Sequence, residues 1–139
     1  MAIRVAVRDD VEDIMILLVD FAVEYMDYKY SLHKMHDILV GSIETGCTLV
    51  QERNGKITGV IVGMIHDHPF LICRALSEIA WYSKDIYGGL LLARFVKLGK
   101  SLGVDCISAS TLANSPETAE RIMALAGFDK SETGWRMNL

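Results

Sequence analysis

The sequence predicts an α+β domain with a mixed, mostly antiparallel sheet flanked by helices. Two observations carry that reading. Two β-rich runs, Cys47 to Arg53 and Ile57 to His66, are separated by Asn54-Gly55, the strongest short hairpin signal, so an antiparallel pair lies mid-chain. Farther on, an extended run, a helical stretch and another extended run follow one another, and a crossover of that kind joins parallel strands. The predicted order is β-α-α-β-β-β-α-β-α-β-β.

Ile3 to Val7 alternates as a first strand. Asp9 or Asp10 then offers a carboxylate to cap a helix on which Ile14, Leu17, Leu18, Phe21, Ala22 and Tyr25 share one face. Ser31 caps a second helix, with Met35, Ile38, Leu39 and Ile43 inward and Gly46 as its stop. Leu76 to Ser83 is the strand after the hairpin. Gly88 and Gly89 precede a helix with Leu91, Phe95, Leu98 and Leu102 on one side, ending at Gly103. Cys106 to Thr111 reads as a strand. Asn114 or Ser115 caps the last helix, with Pro116 near its first turn, burying Ala119, Ile122, Met123 and Ala126 and stopping at Gly127. Phe128 to Leu139 is expected to close the sheet as a hairpin bending near Gly134.

Composition bounds the function. The chain has 139 residues, a length that fits one domain over 1–139, and 51% of them are hydrophobic against 23% charged, which excludes disorder. Fourteen Lys+Arg against eighteen Asp+Glu give a net charge of −4, which argues against a nucleic-acid binder. The apolar runs are far shorter than the ~20 residues that cross a bilayer, and no signal-peptide layout opens the chain. Cys47, Cys73 and Cys106, odd in number and without a CxxC, read as buried free thiols of a cytoplasmic protein. The high apolar content suggests a covered surface and a homodimer.

Three segments together resemble the GNAT N-acetyltransferase superfamily over nearly the whole chain. They are IRVAVRDDVEDIMILL at the start, HPFLICRALSEIAWYS in the middle and NSPETAERIMALAGFDKSETGWRMNL at the end. The resemblance implies acetyl-CoA as donor and direct transfer to a primary amine, either a small molecule or a basic peptide segment. It implies that two parallel strands, the one ending at Ser83 and the one starting at Cys106, are forced apart, and that their unpaired backbone groups hydrogen-bond the pantetheine arm. Pyrophosphate would then sit on the helix N-terminus after Gly88-Gly89. The cofactor-contacting positions carried over are Trp81, Tyr82, Ser83, Lys84, Tyr87, Gly88, Gly89, Leu90 and Asn114. No metal is implied.

Two departures set a rival reading beside this one. In SKDIYGGLLLARF, aligned without a gap, Leu90 and Leu92 stand where the family's phosphate loop has glycines, and Tyr87 where it has Arg or Gln. A leucine Cβ there would narrow the approach of phosphate to the backbone. Met123 replaces the Tyr that many members carry four residues before the closing Gly-Phe, and a thioether has no proton to give. A GNAT-fold binding or structural module without catalysis would tolerate both changes.

Glu78 is the candidate general base. An attacking amine is mostly protonated at neutral pH, so a carboxylate must take its proton. It lies among Leu, Ile, Ala, Trp and Tyr, and its alternative role is a salt bridge to Arg74 or another cation. His68, in the HPF element, is a candidate for the acceptor site, with a loop histidine bonded to backbone as the alternative. Tyr82 and Tyr87 are candidate proton donors, and Tyr82 joins Glu78 and His68 as a candidate catalytic residue. Tyr25, Tyr28, Tyr30 and Asp27 suit a cationic amine, or simply pack as a loop.

Overall fold

A computed structural model describes all residues, Met1–Leu139. Its sheet is organised around the expected turn. Asn54 and Gly55 both take positive φ, 53° and 75°, as a tight two-residue hairpin requires, and join β2 (Thr48–Arg53) to β3 (Lys56–Asp67). β1 (Ala2–Val5) pairs with the free side of β2, and β4 (Arg74–Ser83) with β3, all antiparallel. β5 (Cys106–Ser108) joins β4 in parallel, so the sheet runs in sequence order from edge to edge.

Alternation along the strands assigns each face to its helices. Val50, Val60, Val62 and Ala80 meet Ile14, Leu17 and Leu18 of α1 (Val11–Tyr25) and Leu39 of α2 (Leu32–Glu44). On the opposite face Leu49, Ile61 and Leu76 meet Leu91, Leu92 and Phe95 of α3 (Gly89–Ser101), with Ile122 and Met123 of α4 (Glu117–Leu125) at the margin. No helix is long and apolar enough to cross a membrane.

The caps follow expectation in part. Ser31 Oγ accepts the Lys34 N–H at 3.3 Å. The Asp10 carboxylate does not cap α1. It accepts two bonds from the Arg4 guanidinium (2.7 and 2.9 Å) and one from the Val7 N–H (2.8 Å), fastening β1 to the start of α1. The bond from Arg4 holds the Asp10 carboxyl below its ordinary value. Pro116, not Asn114 or Ser115, occupies the cap position of α4, because its extended backbone makes Glu117 the first helical residue. Ser115 Oγ instead accepts the Leu112 N–H, and Asn114 donates to the Tyr25 carbonyl. The apolar side of α4 is only partly covered, and none of its residues is fully buried.

Further expectations are corrected. Ile38 and Leu102, expected inward, are exposed, and the strand expected over Cys106 to Thr111 ends at Ser108. The closing hairpin does not form: Phe128 to Leu139 holds no strand, and Trp135, Met137 and Leu139 stand in solvent. β5 supplies the reason. It is only three residues long, so the edge on which a further strand would grow is very short, and an isolated hairpin is marginal at best. The cysteines are also not all buried. Cys47 is, but Cys73 is half-buried and Cys106 exposed, because both lie where the short edge strand begins.

Candidate active site

The site begins with one extra residue. Gly63 pairs with Glu78 and Val62 with Ala80, which leaves Ile79 as a bulge on β4. A bulge bends its strand and increases its twist. Pairing to β5 covers only Ala75 to Ser77 and stops immediately before that bend. From Glu78 to Ser83 the β5 side of β4 has no strand partner, and after Ser108 the chain holds no strand. Between them opens a cleft of about 480 Å³. Glu78, Trp81, Tyr82 and Ser83 line one wall, Ser110 and Leu112 the other.

The floor of the cleft, the loop from β4 to α3, is braced from below. Gln51, fully buried on β2, donates from Nε2 to the Tyr87 carbonyl (3.1 Å) and accepts at Oε1 from Ser83 Oγ (2.8 Å). Arg53 Nε reaches Asp85 Oδ2 at 2.7 Å, and Trp81 Nε1 donates to the Gly88 carbonyl at 3.1 Å. At the start of α3, Leu90 and Leu91 bond back to Tyr87 and Gly88, while the Gly89 N–H has no backbone partner. Leu92 points into the core, and Leu90 is half-exposed and outside the cleft lining. Neither leucine plugs the opening.

Glu78 has no cation beside it. Burial pushes its carboxyl up to about 7, against a lowering hydrogen bond from the Ser110 backbone across the cleft. The salt bridge to Arg74 does not form, and a carboxylate poised near neutrality is the form suited to exchanging protons there. Tyr82 is different. Its hydroxyl donates to Glu24 Oε2 at 3.0 Å and is pushed up to about 12, mainly by burial and then by that carboxylate, which makes it a reluctant acid.

Comparison with known proteins yields structure without sequence. No family model matches the chain, and no curated protein matches it. Among solved structures, a "probable acetyltransferase" superposes over 100% of this chain and 98% of its own, with a TM-score of 0.78 at 13% identity. A "predicted acetyltransferase with acetyl-CoA" from Clostridium acetobutylicum covers 99% and 95%, at 0.77 and 13%. The ribosomal-protein-alanine N-acetyltransferase of Brucella melitensis biovar Abortus 2308 covers 100% of both chains, at 0.72 and 10%. The chain has the GNAT fold.

Within that GNAT fold the residues singled out from sequence divide in two. Glu78, Trp81, Tyr82, Ser83, Lys84, Gly88 and Gly89 come together in the cleft. His68, Tyr87, Leu90 and Asn114 lie outside its lining. His68 accepts the Phe70 and Leu71 N–H groups at 3.1 Å each and holds the β3–β4 loop in shape. The Tyr87 ring lies under the Arg53 guanidinium at 5.7 Å. Lys84 is committed to Asp20 on α1, so its charge is shared before any anion arrives.

Gln51 and Glu24 belong to this site without standing out in the sequence. Gln51 carries one signal, a neutral amide closing an otherwise buried run, but nothing local says which loop it reaches. Its replacement by Leu leaves the Tyr87 carbonyl and the Ser83 hydroxyl short of partners. An unsatisfied buried group costs about 1–3 kcal/mol. Thermal unfolding of Gln51→Leu is therefore expected at a lower temperature than wild type, and an equal Tm would show the brace to be idle.

Proposed function

We propose that the chain transfers an acetyl group from acetyl-CoA to a primary amine, with both substrates held together in the cleft. The observation that carries this is the near-neutral Glu78 carboxyl inside an opening that the Ile79 bulge creates. The unpaired backbone of Glu78 to Ser83 offers hydrogen bonds to a pantetheine arm, and one N–H can polarise the thioester carbonyl. The free Gly89 N–H at the positive end of α3 suits pyrophosphate. Glu78 takes a proton from the ammonium, directly or through water, and the neutral amine attacks the carbonyl carbon. With Met123 at the usual donor position and Tyr82 held by Glu24, the thiolate departs without a dedicated acid. A thiol pKa near 8.5 permits that.

The α1 side of the cleft supports a cationic acceptor. Phe21, Tyr25 and Tyr82 cluster with ring centres 5.7–6.3 Å apart, and Glu24 places a carboxylate at their margin. Aromatic faces beside a carboxylate attract ammonium groups. Glu24→Gln is expected to raise KM for the amine more than it lowers kcat. An unchanged KM would move the acceptor elsewhere.

A ligand bound only by the folded state stabilises it by RT ln(1 + [L]/Kd), about 2.7 kcal/mol at a hundredfold excess over Kd. Millimolar acetyl-CoA is therefore expected to raise Tm by several degrees, and an amine panel to release free thiol. A shift without thiol release would assign the chain to the non-catalytic module, a reading that the backbone bonds already made by the Leu90 and Leu91 N–H groups favour. The absence of both the shift and the thiol release would overturn the proposal.

A further inference from the structure

Cys73 and Cys106 stand at the closed end of the cleft, where β4 and β5 begin their short parallel ladder. Their sulfurs are 2.9 Å apart, and both are free thiols. The backbone between them is already fixed: the Asp105 N–H donates to the Arg74 carbonyl at 2.8 Å, and the Arg74 N–H to Asp105 Oδ2 at 2.9 Å. Two thiols on adjacent segments of the sheet, at contact distance and open to solvent on the Cys106 side, need little backbone movement to join. The third cysteine, Cys47, is buried on the other side of β3 and donates weakly to the Thr45 carbonyl.

We infer that Cys73 and Cys106 form a reversible dithiol–disulfide site, which takes a low-molecular-weight disulfide as reactant and, once oxidised, ties β5 to β4 at the root of the cleft. The hydrogen bond with Cys106 pushes the Cys73 thiol up to about 11, so Cys73 keeps its proton at neutral pH and the more exposed Cys106 attacks first. The Cys106 thiolate displaces one thiol from the external disulfide and becomes a mixed disulfide. Cys73 then gives its proton to solvent, attacks the Cys106 sulfur and expels the second external thiolate, which is protonated. Two protein thiols are oxidised to one bond, and one external disulfide is reduced to two thiols. In a reducing compartment the pair rests as thiols, and a more oxidising poise closes it.

Closure has a structural consequence. β5 is an edge strand of three residues, and Ser110, just beyond it, supplies the backbone bond to Glu78. A covalent tie at its start limits fraying of that strand. It also closes a loop containing β4 and α3, which lowers the entropy of the unfolded chain. This inference does not rest on the proposed acetyl transfer, since its readout needs neither acetyl-CoA nor an amine.

Folded wild-type protein incubated with oxidised glutathione is expected to lose two of its three free thiols. Its intact mass should fall by two hydrogen atoms, with a peptide linking Cys73 to Cys106 and Cys47 still free. Cys73→Ser should stop as a glutathione adduct on Cys106. Amide exchange across Cys106 to Ser110 should slow on oxidation and recover with reductant. Adducts on wild type without a linking peptide, three untouched thiols, or a formed bond with unchanged exchange would each overturn the inference. The wild-type mass gives the answer even if the variant fails to fold.

Discussion

Glu78→Gln is expected to lower turnover by about 10²–10⁴-fold, the range a positioned general base contributes. The variant should still show the wild-type rise in Tm with acetyl-CoA, since an amide of the same shape leaves the cleft open. The wild-type pH–rate profile should rise through pH 7 as Glu78 ionises, and that limb should vanish in the variant. Stability moves the other way. The folded carboxyl ionises near pH 7 and the unfolded one near 4.5, so stability is fully present below about 4.5 and is lost as pH rises through 7. A difference of that size corresponds to about 3 kcal/mol. Denaturant midpoints across this window should therefore fall for wild type and stay flatter for Glu78→Gln. Equal turnover would remove Glu78 from its role, and parallel midpoints would mean that its burial is relieved by water.

What could be read from sequence was what local chemistry decides. Asn54-Gly55 announced the hairpin because only that backbone conformation makes so tight a turn. Leu76 to Ser83 showed a strand, and Glu78 within it was conspicuous because a carboxylate among apolar neighbours needs a reason. The bulge was invisible, since Ile79 differs from its neighbours only in pairing, and pairing is decided by β3. The missing hairpin shows the same limit. Trp135, Met137 and Leu139 alternate as a strand should, but pairing needs an edge, and β5 ends too soon to provide it. Glu24 gives no signal in the sequence because it sits on the polar side of an amphipathic helix, where carboxylates are ordinary. Only the tertiary approach of Tyr82, at 3.0 Å, makes it part of a site. Likewise the thiol pair could not be read from spacing, because Cys73 and Cys106 are brought together by a crossover through α3.

Deleting Ile79 tests the origin of the cleft. With the extra residue gone, Glu78 stays opposite Gly63 and Ala80 opposite Val62, now as consecutive steps of a regular ladder. Trp81 keeps facing α3 and Ala80 keeps facing α1, so both halves of the core retain their side chains. What changes is the bend. A straighter β4 continues alongside the chain after Ser108, and backbone groups now unpaired between Glu78 and Ser83 gain strand partners. The expected result is a cooperatively folded protein whose Tm no longer responds to acetyl-CoA, a loss of about 2.7 kcal/mol of ligand stabilisation at a hundredfold excess over the wild-type Kd. Amide exchange from Ala109 to Leu112 should slow as these groups pair. A deletion variant that still gains several degrees would show that the opening is held by the loop brace of Gln51 and Trp81, not by the bulge. In that case Gln51→Leu, rather than the deletion, should abolish the response.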